Sequence, residues 1–339
     1  MSAPPGTAAA GRMLELMYGS VLAYLVSSVA ELGVADLLDG GPRSVDDLAA
    51  GTGTDPDGLY RALRALSAAS VFAEVAPRRF ALTPLAATLR SGVAGSIRDH
   101  ARNWGLPEYQ RALAGLTHAL RTGQPSFDHV FGTDWWSYLA EHPEPAESFN
   151  RAMGSRANQV AVAAVESSDL SDVRWLVDVG GGHGQLAVAL LNRYADLTVT
   201  VFDRPGVVDG AGRLLAAAGH ADRGRTAGGD FFDAVPAGAD AYVLSSVLHD
   251  WDDAAATAIL RAVRAAAGPA SRVLVLEIVL AAERPALVGT LLDVLMLALV
   301  GGRERTEAEF RALLAGAELR LVRTAPTASP VSMLVAVPE

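Results

Sequence analysis

The chain has 339 residues, of which 50% are hydrophobic and 19% charged, with no cysteine and a formal net charge of -10 at pH 7. Such a length holds two ordinary domains, or one large and one small, and a mean hydropathy of +0.24 is that of a folded globular protein. The missing cysteines exclude disulfides, thiolate nucleophiles and zinc-cysteine sites; the 28 basic residues are all arginine, which excludes lysine Schiff bases and a P-loop lysine; and the acidic balance argues against nucleic acid as a partner.

In chain order, the opening MSAPPGTAAAG has no apolar period and is expected to lack order. Met13 to Leu38 carries helical spacing and stops at Gly40-Gly41. Its most apolar part, Leu16 to Ala30, lies between Glu15 and Glu31 and is shorter than the ~20 residues of a membrane helix. With no basic n-region of a signal peptide either, the expectation is a soluble cytoplasmic protein without a membrane partner. Ser44 then begins a short helix with Asp47 at the capping-box position, Gly51 and Gly53 make a turn, and Asp55-Pro56 starts a second helix. The stretch FAEVAPRRFALT reads as a hairpin, so residues 1–100 form a helical, winged-helix-like domain. Its second helix sets Arg61 and Arg64 among leucines beside Asp55 and Asp57, a pattern suited to packing between subunits rather than to reading DNA.

Residues 101–165 read as further helices that connect the domains and supply a substrate pocket. In DWWSYLAEHPEPAESFNRAM, Trp135, Trp136, Phe149, Asn150 and Met153 are candidates to line a site for a flat organic molecule, with core packing as the alternative for each. From 166 to 339 the pattern becomes α/β. WLVDV, TVTVF, DAYVLSSVL and RVLVLEIVL each precede a helical stretch, which predicts a Rossmann-like, doubly wound parallel sheet. The final LRLVRTAPTASPVSMLVAV has no room for a crossover and predicts an antiparallel edge pair.

The candidate chemistry sits where these strands end. Gly180 to Gly184, GGGHG, joins a strand to a helix, leaving the backbone and helix N-terminus open to a ligand. Asp203 ends the next strand, where an acid accepts hydrogen bonds from ribose hydroxyls. A dinucleotide is disfavoured, because the third position of G-x-G-x-x-G falls on Gln185. In GGDFFDAVP, Asp230 and Phe231 are placed for an exocyclic amine and an adenine face, or for an ordinary turn. His249, in SVLHDWDD, ends a further strand. The other six histidines form no metal spacing, and no metal is expected.

Taken together, LVDVGGGHG, VFD, GDFF, LHDWDD and GGRERT resemble, in order and spacing, the class I S-adenosylmethionine-dependent O-methyltransferases, and within them the caffeate-type family with its bacterial natural-product branch. The resemblance spans nearly the whole chain and implies a homodimer formed through the N-terminal domain. It implies that Gly180 and Gly182 run beside the methionine part of S-adenosylmethionine, that Asp203 holds its ribose, and that Asp230 and Phe231 flank its adenine. Many members have lysine four residues before the histidine; here Ser245 stands there, leaving a cofactor contact without the charge. The resemblance also makes His249 the general base, flanked by Glu277 and Glu304, acting on a hydroxyl of a small aromatic secondary metabolite. Histidine suits that role near neutral pH. The aspartates after His249 are read as the start of the next helix, with Asp252 or Asp253 as its cap. Non-methyl chemistry on the same cofactor, such as decarboxylation or hydroxylation, is the alternative, and a winged-helix regulator a more distant one.

Overall fold

Alternating side chains of the central strands feed two separate hydrophobic cores, which is what places one edge of the sheet at the disposal of chemistry. The structure is a computed structural model that describes residues 5–93, 95–167 and 169–339. It divides into two compact units, one of residues 5–109 with 144–155 and one of 110–143 with 156–339.

The first unit begins with a helix, Pro5–Glu31, so order starts earlier than the sequence pattern suggests; a second, short helix spans Val34–Leu37. The alanines at 8–10 are strong helix formers even without an apolar period. By length and composition Ala8–Glu31 is also long and apolar enough to cross a membrane, which corrects the shorter stretch read from the sequence. Ser44 caps the helix Val45–Thr52 by accepting from the Asp47 N–H at 3.1 Å, and Asp55 caps Pro56–Ala68 by accepting from Gly58 N at 2.7 Å. Gly51 lies inside the first of these helices, and Gly53 alone ends it. Leu59, Leu63 and Leu66 form the buried stripe of the second helix, each contributing about 1.5–3 kcal/mol of burial. A small antiparallel sheet of β1 (Arg43–Ser44), β2 (Phe72–Ala76) and β3 (Arg79–Leu82), in the order β1-β3-β2, completes the winged helix.

The second unit is built on seven strands: β4 (Trp175–Val179), β5 (Thr198–Asp203), β6 (Gly224–Gly228), β7 (Ala241–Ser245), β8 (Arg272–Glu277), β11 (Leu319–Pro326) and β12 (Ser332–Pro338). Between β8 and β11 in the chain, β9 (Val279–Leu280) and β10 (Arg305–Thr306) form a separate parallel pair. The main sheet runs β11-β12-β8-β7-β4-β5-β6, with β4 to β8 parallel and β12 antiparallel to both β8 and β11. Val177, Tyr242 and Val275 face a core shared with the helix Asp253–Ala266, whereas Leu176, Val243 and Leu274 face one shared with the helix Gln185–Arg193. Strands buried on both faces read as continuous apolar runs, as WLVDV and RVLVLE do. Because the chain order reverses between β4 and β7, the crevice past their carboxyl ends is where an open sheet of this kind binds ligands.

Candidate active site

The glycine loop leaves β4 at Gly180, which has φ +69° and no room for a side chain: a Cβ there would meet Val247 Cγ2 at 2.8 Å. Two residues on, the Gly182 N–H donates to Asp203 Oδ2 at 2.9 Å, while Arg204 N–H donates to Oδ1 at 2.7 Å. Backbone amides thus orient the Asp203 carboxylate, and each oxygen keeps a second lone pair for a ligand hydroxyl. A Cβ on Gly182 would meet nothing within 4 Å, so space for a ligand adjoins the loop. Phe231 also approaches Gly180, its Cε1 3.8 Å from where a Cβ there would stand, and Asp230 is exposed, its Oδ1 holding the Phe232 N–H at 2.8 Å. Ser245 is half-buried at the end of β7, in register with Leu276 of β8.

Beneath the loop is a residue that sequence reading passed over. Asp178 is 1% exposed, and neither of its oxygens has a hydrogen-bond partner among the described residues. Burial, then the nearby charge of Asp203, pushes its carboxyl up to about 7. Its signal in the sequence is plain in retrospect, a lone acid inside the apolar run WLVDV. An orphaned buried acid, an oriented Asp203 and an uncrowded glycine fit a ligand that carries positive charge and a ribose.

His249 lies in a turn, Leu248–Asp250, directly after β7, and is 5% exposed. Its Nδ1 is 3.0 Å from Glu304 Oε1 and 3.6 Å from Glu277 Oε2; both carboxylates are buried. An ionised Glu304 only accepts, so Nδ1 carries the proton of that bond and Nε2 is the basic nitrogen. The β9 and β10 pair, with Arg305 opposite Val279, brings Glu304 beside the end of β8 where Glu277 sits. Glu277 also anchors the backbone ahead of the imidazole, since its Oε1 accepts the N–H groups of Val247 and Leu248 at 2.9 and 2.8 Å. Burial opposes a charged imidazole, but the charges of Glu277 and Asp250 and the hydrogen bond to Glu304 outweigh it, raising His249 to about 9. Burial likewise raises Glu277, against the pull of His249.

One reading of the neighbouring acids needs correction. Asp252 caps the following helix through Ala255 N at 2.8 Å, and Asp253 opens it, as expected. Asp250, however, points back at the imidazole, with Oδ1 3.4 Å from Nε2. The intervening turn folds the chain sharply enough for adjacent side chains to meet. One ligand atom from each of His249, Glu277 and Glu304 lies within 4.8 Å of the others, a spacing a divalent ion could span only if Nδ1 gave up its proton.

Of the pocket candidates, Trp135 is 2% exposed and packs edge-on against Phe127, so it is core. Trp136 stacks 6.3 Å from Trp251 and lies under the Arg204 guanidinium, which ties it to the residue following Asp203. Phe149, Asn150 and Met153 are half-buried on the first unit's stretch of the helix Pro143–Ser167.

Comparison with known proteins supplies an independent reading. Residues 113–320 match the model of an O-methyltransferase domain and residues 14–92 that of an O-methyltransferase dimerisation domain. The chain is 41% identical to a phenazine O-methyltransferase of Lysobacter antibioticus, over 96% of this chain and 95% of that one. It is 40% identical to a mitomycin biosynthesis 6-O-methyltransferase of Streptomyces lavendulae, over 97% and 96%. Among solved structures, an O-methyltransferase from neocarzinostatin biosynthesis, in complex with S-adenosylmethionine and 2-hydroxy-5-methyl naphthoic acid, is 36% identical with a TM-score of 0.79, covering 94% of this chain and 96% of that one.

Proposed function

The chain belongs to the S-adenosylmethionine-dependent O-methyltransferases of bacterial secondary metabolism, and from that premise we propose that it methylates a phenolic hydroxyl of a small aromatic metabolite with His249 as general base. The observation that carries this reading is the buried Glu304–His249 pair, Nδ1 to Oε1 at 3.0 Å, at the sheet edge beside the glycine loop. When bound, S-adenosylmethionine supplies a methyl group already activated by its sulfonium. Gly180 and Gly182 are proposed to run beside its methionine part and Asp203 to hold its ribose, with Asp230 and Phe231 flanking the adenine and Ser245 a further cofactor contact, and Trp136, Phe149, Asn150 and Met153 are proposed for the acceptor.

What remains for the protein is geometry and a proton sink. Proton transfer from a phenol of pKa ~10 to an ordinary imidazole of pKa ~6.5 is uphill by roughly 5 kcal/mol. With His249 at about 9, the deficit falls to roughly 1 kcal/mol. Glu277, Asp250 and Glu304 thereby stabilise the imidazolium that forms as the oxygen attacks. Residues 1–100 serve in this scheme as the dimerisation domain, 101–165 as connector and pocket, and 166–339 as the catalytic domain, in a soluble cytoplasmic homodimer.

Incubation with methyl-labelled cofactor and a panel of phenols, naphthols and hydroxyquinones is expected to give labelled aryl ethers. His249→Ala is expected to lower kcat by about 10²–10⁴ while the cofactor binds with unchanged affinity in calorimetry. Full turnover by His249→Ala on a true substrate would remove the base assignment.

A further inference from the structure

The loop that carries His249 is held from two sides by groups of opposite charge. On one side the Glu277 carboxylate takes the amide protons of Val247 and Leu248. On the other lies Arg305, whose side chain is 0% exposed. Its Nη1 donates to the carbonyl of Leu248 at 2.8 Å and its Nη2 to the carbonyl of Trp251 at 2.8 Å, so the guanidinium grips the backbone on both flanks of His249. Nε donates to Asp253 Oδ1 at 2.9 Å, and Nη1 also reaches the carbonyl of Arg303 at 3.4 Å. A fully buried guanidinium is costly unless its donors are used, and here those donors join the His249 turn to the segment that presents Glu304, one residue before Arg305 itself.

The two segments also touch along their backbones. The Arg303 N–H donates to the His249 carbonyl at 2.8 Å, and Gly302 packs so tightly that a Cβ would overlap that carbonyl oxygen. The Glu304 N–H is fixed in turn by Asp293 Oδ1 at 2.9 Å.

We infer that Arg305 is a positioning residue of the methyl-transfer reaction: its buried guanidinium sets the His249 turn against Glu304, fixing imidazole orientation and tautomer without touching either reactant. The inference rests on the reading of His249 as the base. A lysine cannot reproduce it, because an ammonium is a point donor and lacks the planar fork that spans two carbonyls.

The test compares Arg305→Lys and His249→Ala with the parent protein, using kcat, cofactor affinity and the ¹⁵N signals of the histidine ring. Arg305→Lys is expected to bind S-adenosylmethionine within about twofold of the parent while kcat falls about 10- to 100-fold. The Nδ1–H resonance of His249 is expected to broaden or vanish through faster exchange with water. Arg261→Lys, at an arginine that bonds the carbonyl of Gly316 elsewhere in the same unit, is expected to leave kcat and the ring signals unchanged. Parent-like kcat and an intact Nδ1–H signal in Arg305→Lys would overturn the inference. Should that variant not fold, Asp253→Ala, which removes the exposed anchor of the guanidinium, is judged by the same signal and the same criterion. The ring signal is independent of turnover, so it decides the role of Arg305 even if His249→Ala keeps full activity and the base reading falls.

Discussion

At the scale of single residues, the defining quantity is the proton affinity of one imidazole. His249 sits in a buried, acidic setting that raises it to about 9, so at pH 7 only about 1% of the free enzyme has a basic Nε2. For His249 as the proposed base the sign is fixed: a base works deprotonated, and a raised pKa moves the acid limb of the rate profile to higher pH. We expect log kcat/KM to climb with unit slope from pH 6.5 to about 8.5 and to level off near 9, measured with an acceptor whose own ionisation lies above 10. A profile already flat at pH 7 would show that the field of Glu277, Asp250 and Glu304 does not act on the reacting imidazole. His249 was legible from LHDWDD and its place after an apolar strand, and Glu277 and Glu304 through the family's motifs. The inward turn of Asp250 was not, because a run of acids before a helix reads equally as capping until the intervening turn is known. Nor was Arg305, since nothing in GGRERT distinguishes a buried arginine from the exposed one two positions earlier.

At the scale of elements, the segment from Gly301 to Thr306 matters as a bracket and not as a simple loop. Gly302 permits its closest approach to the His249 backbone, so Gly302→Ala is expected to force the two segments apart at a cost of about 1–3 kcal/mol. Urea denaturation should record that loss and steady-state assays a parallel fall in kcat; a variant with parental stability and turnover would mean the segments yield freely. A smaller effect belongs to the neighbouring helix, where Asp252→Ala removes the cap on Ala255 N. About 1 kcal/mol should be lost in thermal unfolding, with the site chemistry unchanged. The strands β4, β5, β7 and β8 were legible as mostly apolar runs, and the hairpin of β11 and β12 because its connection is too short to cross over; β6 was not, because it is an edge strand, GRTAG, with no buried residue. The helix from Pro5 was not, since alanines carry propensity but no period, and Gly51 looked like a turn although helices tolerate single glycines.

For the whole molecule, the first helix presents Leu16, Met17, Tyr18 and Val21, all well exposed in the single chain, within the stretch matched to a dimerisation domain. A second copy of the chain is the partner expected on this apolar face. Met17→Glu combined with Val21→Asp is expected to convert a dimer to a monomer in analytical ultracentrifugation, and a dimer surviving both changes would place the interface elsewhere. The shift from helical spacing to strand-helix alternation at residue 166 was legible, but it is not where the compact units divide: residues 101–165 are shared between both. What composition could not reveal is the cost accepted under the glycine loop. Asp178 has a folded-state pKa of about 7 against ~3.9 when unfolded, so the stability it lends in acid is lost as pH rises from about 4 through 7. At neutral pH the ligand-free protein is therefore a mixture of two protonation states. A cation settling over that loop favours the ionised one, so cofactor uptake near pH 7 should expel a fraction of a proton, seen as binding heats that scale with the ionisation enthalpy of the buffer and absent in Asp178→Asn.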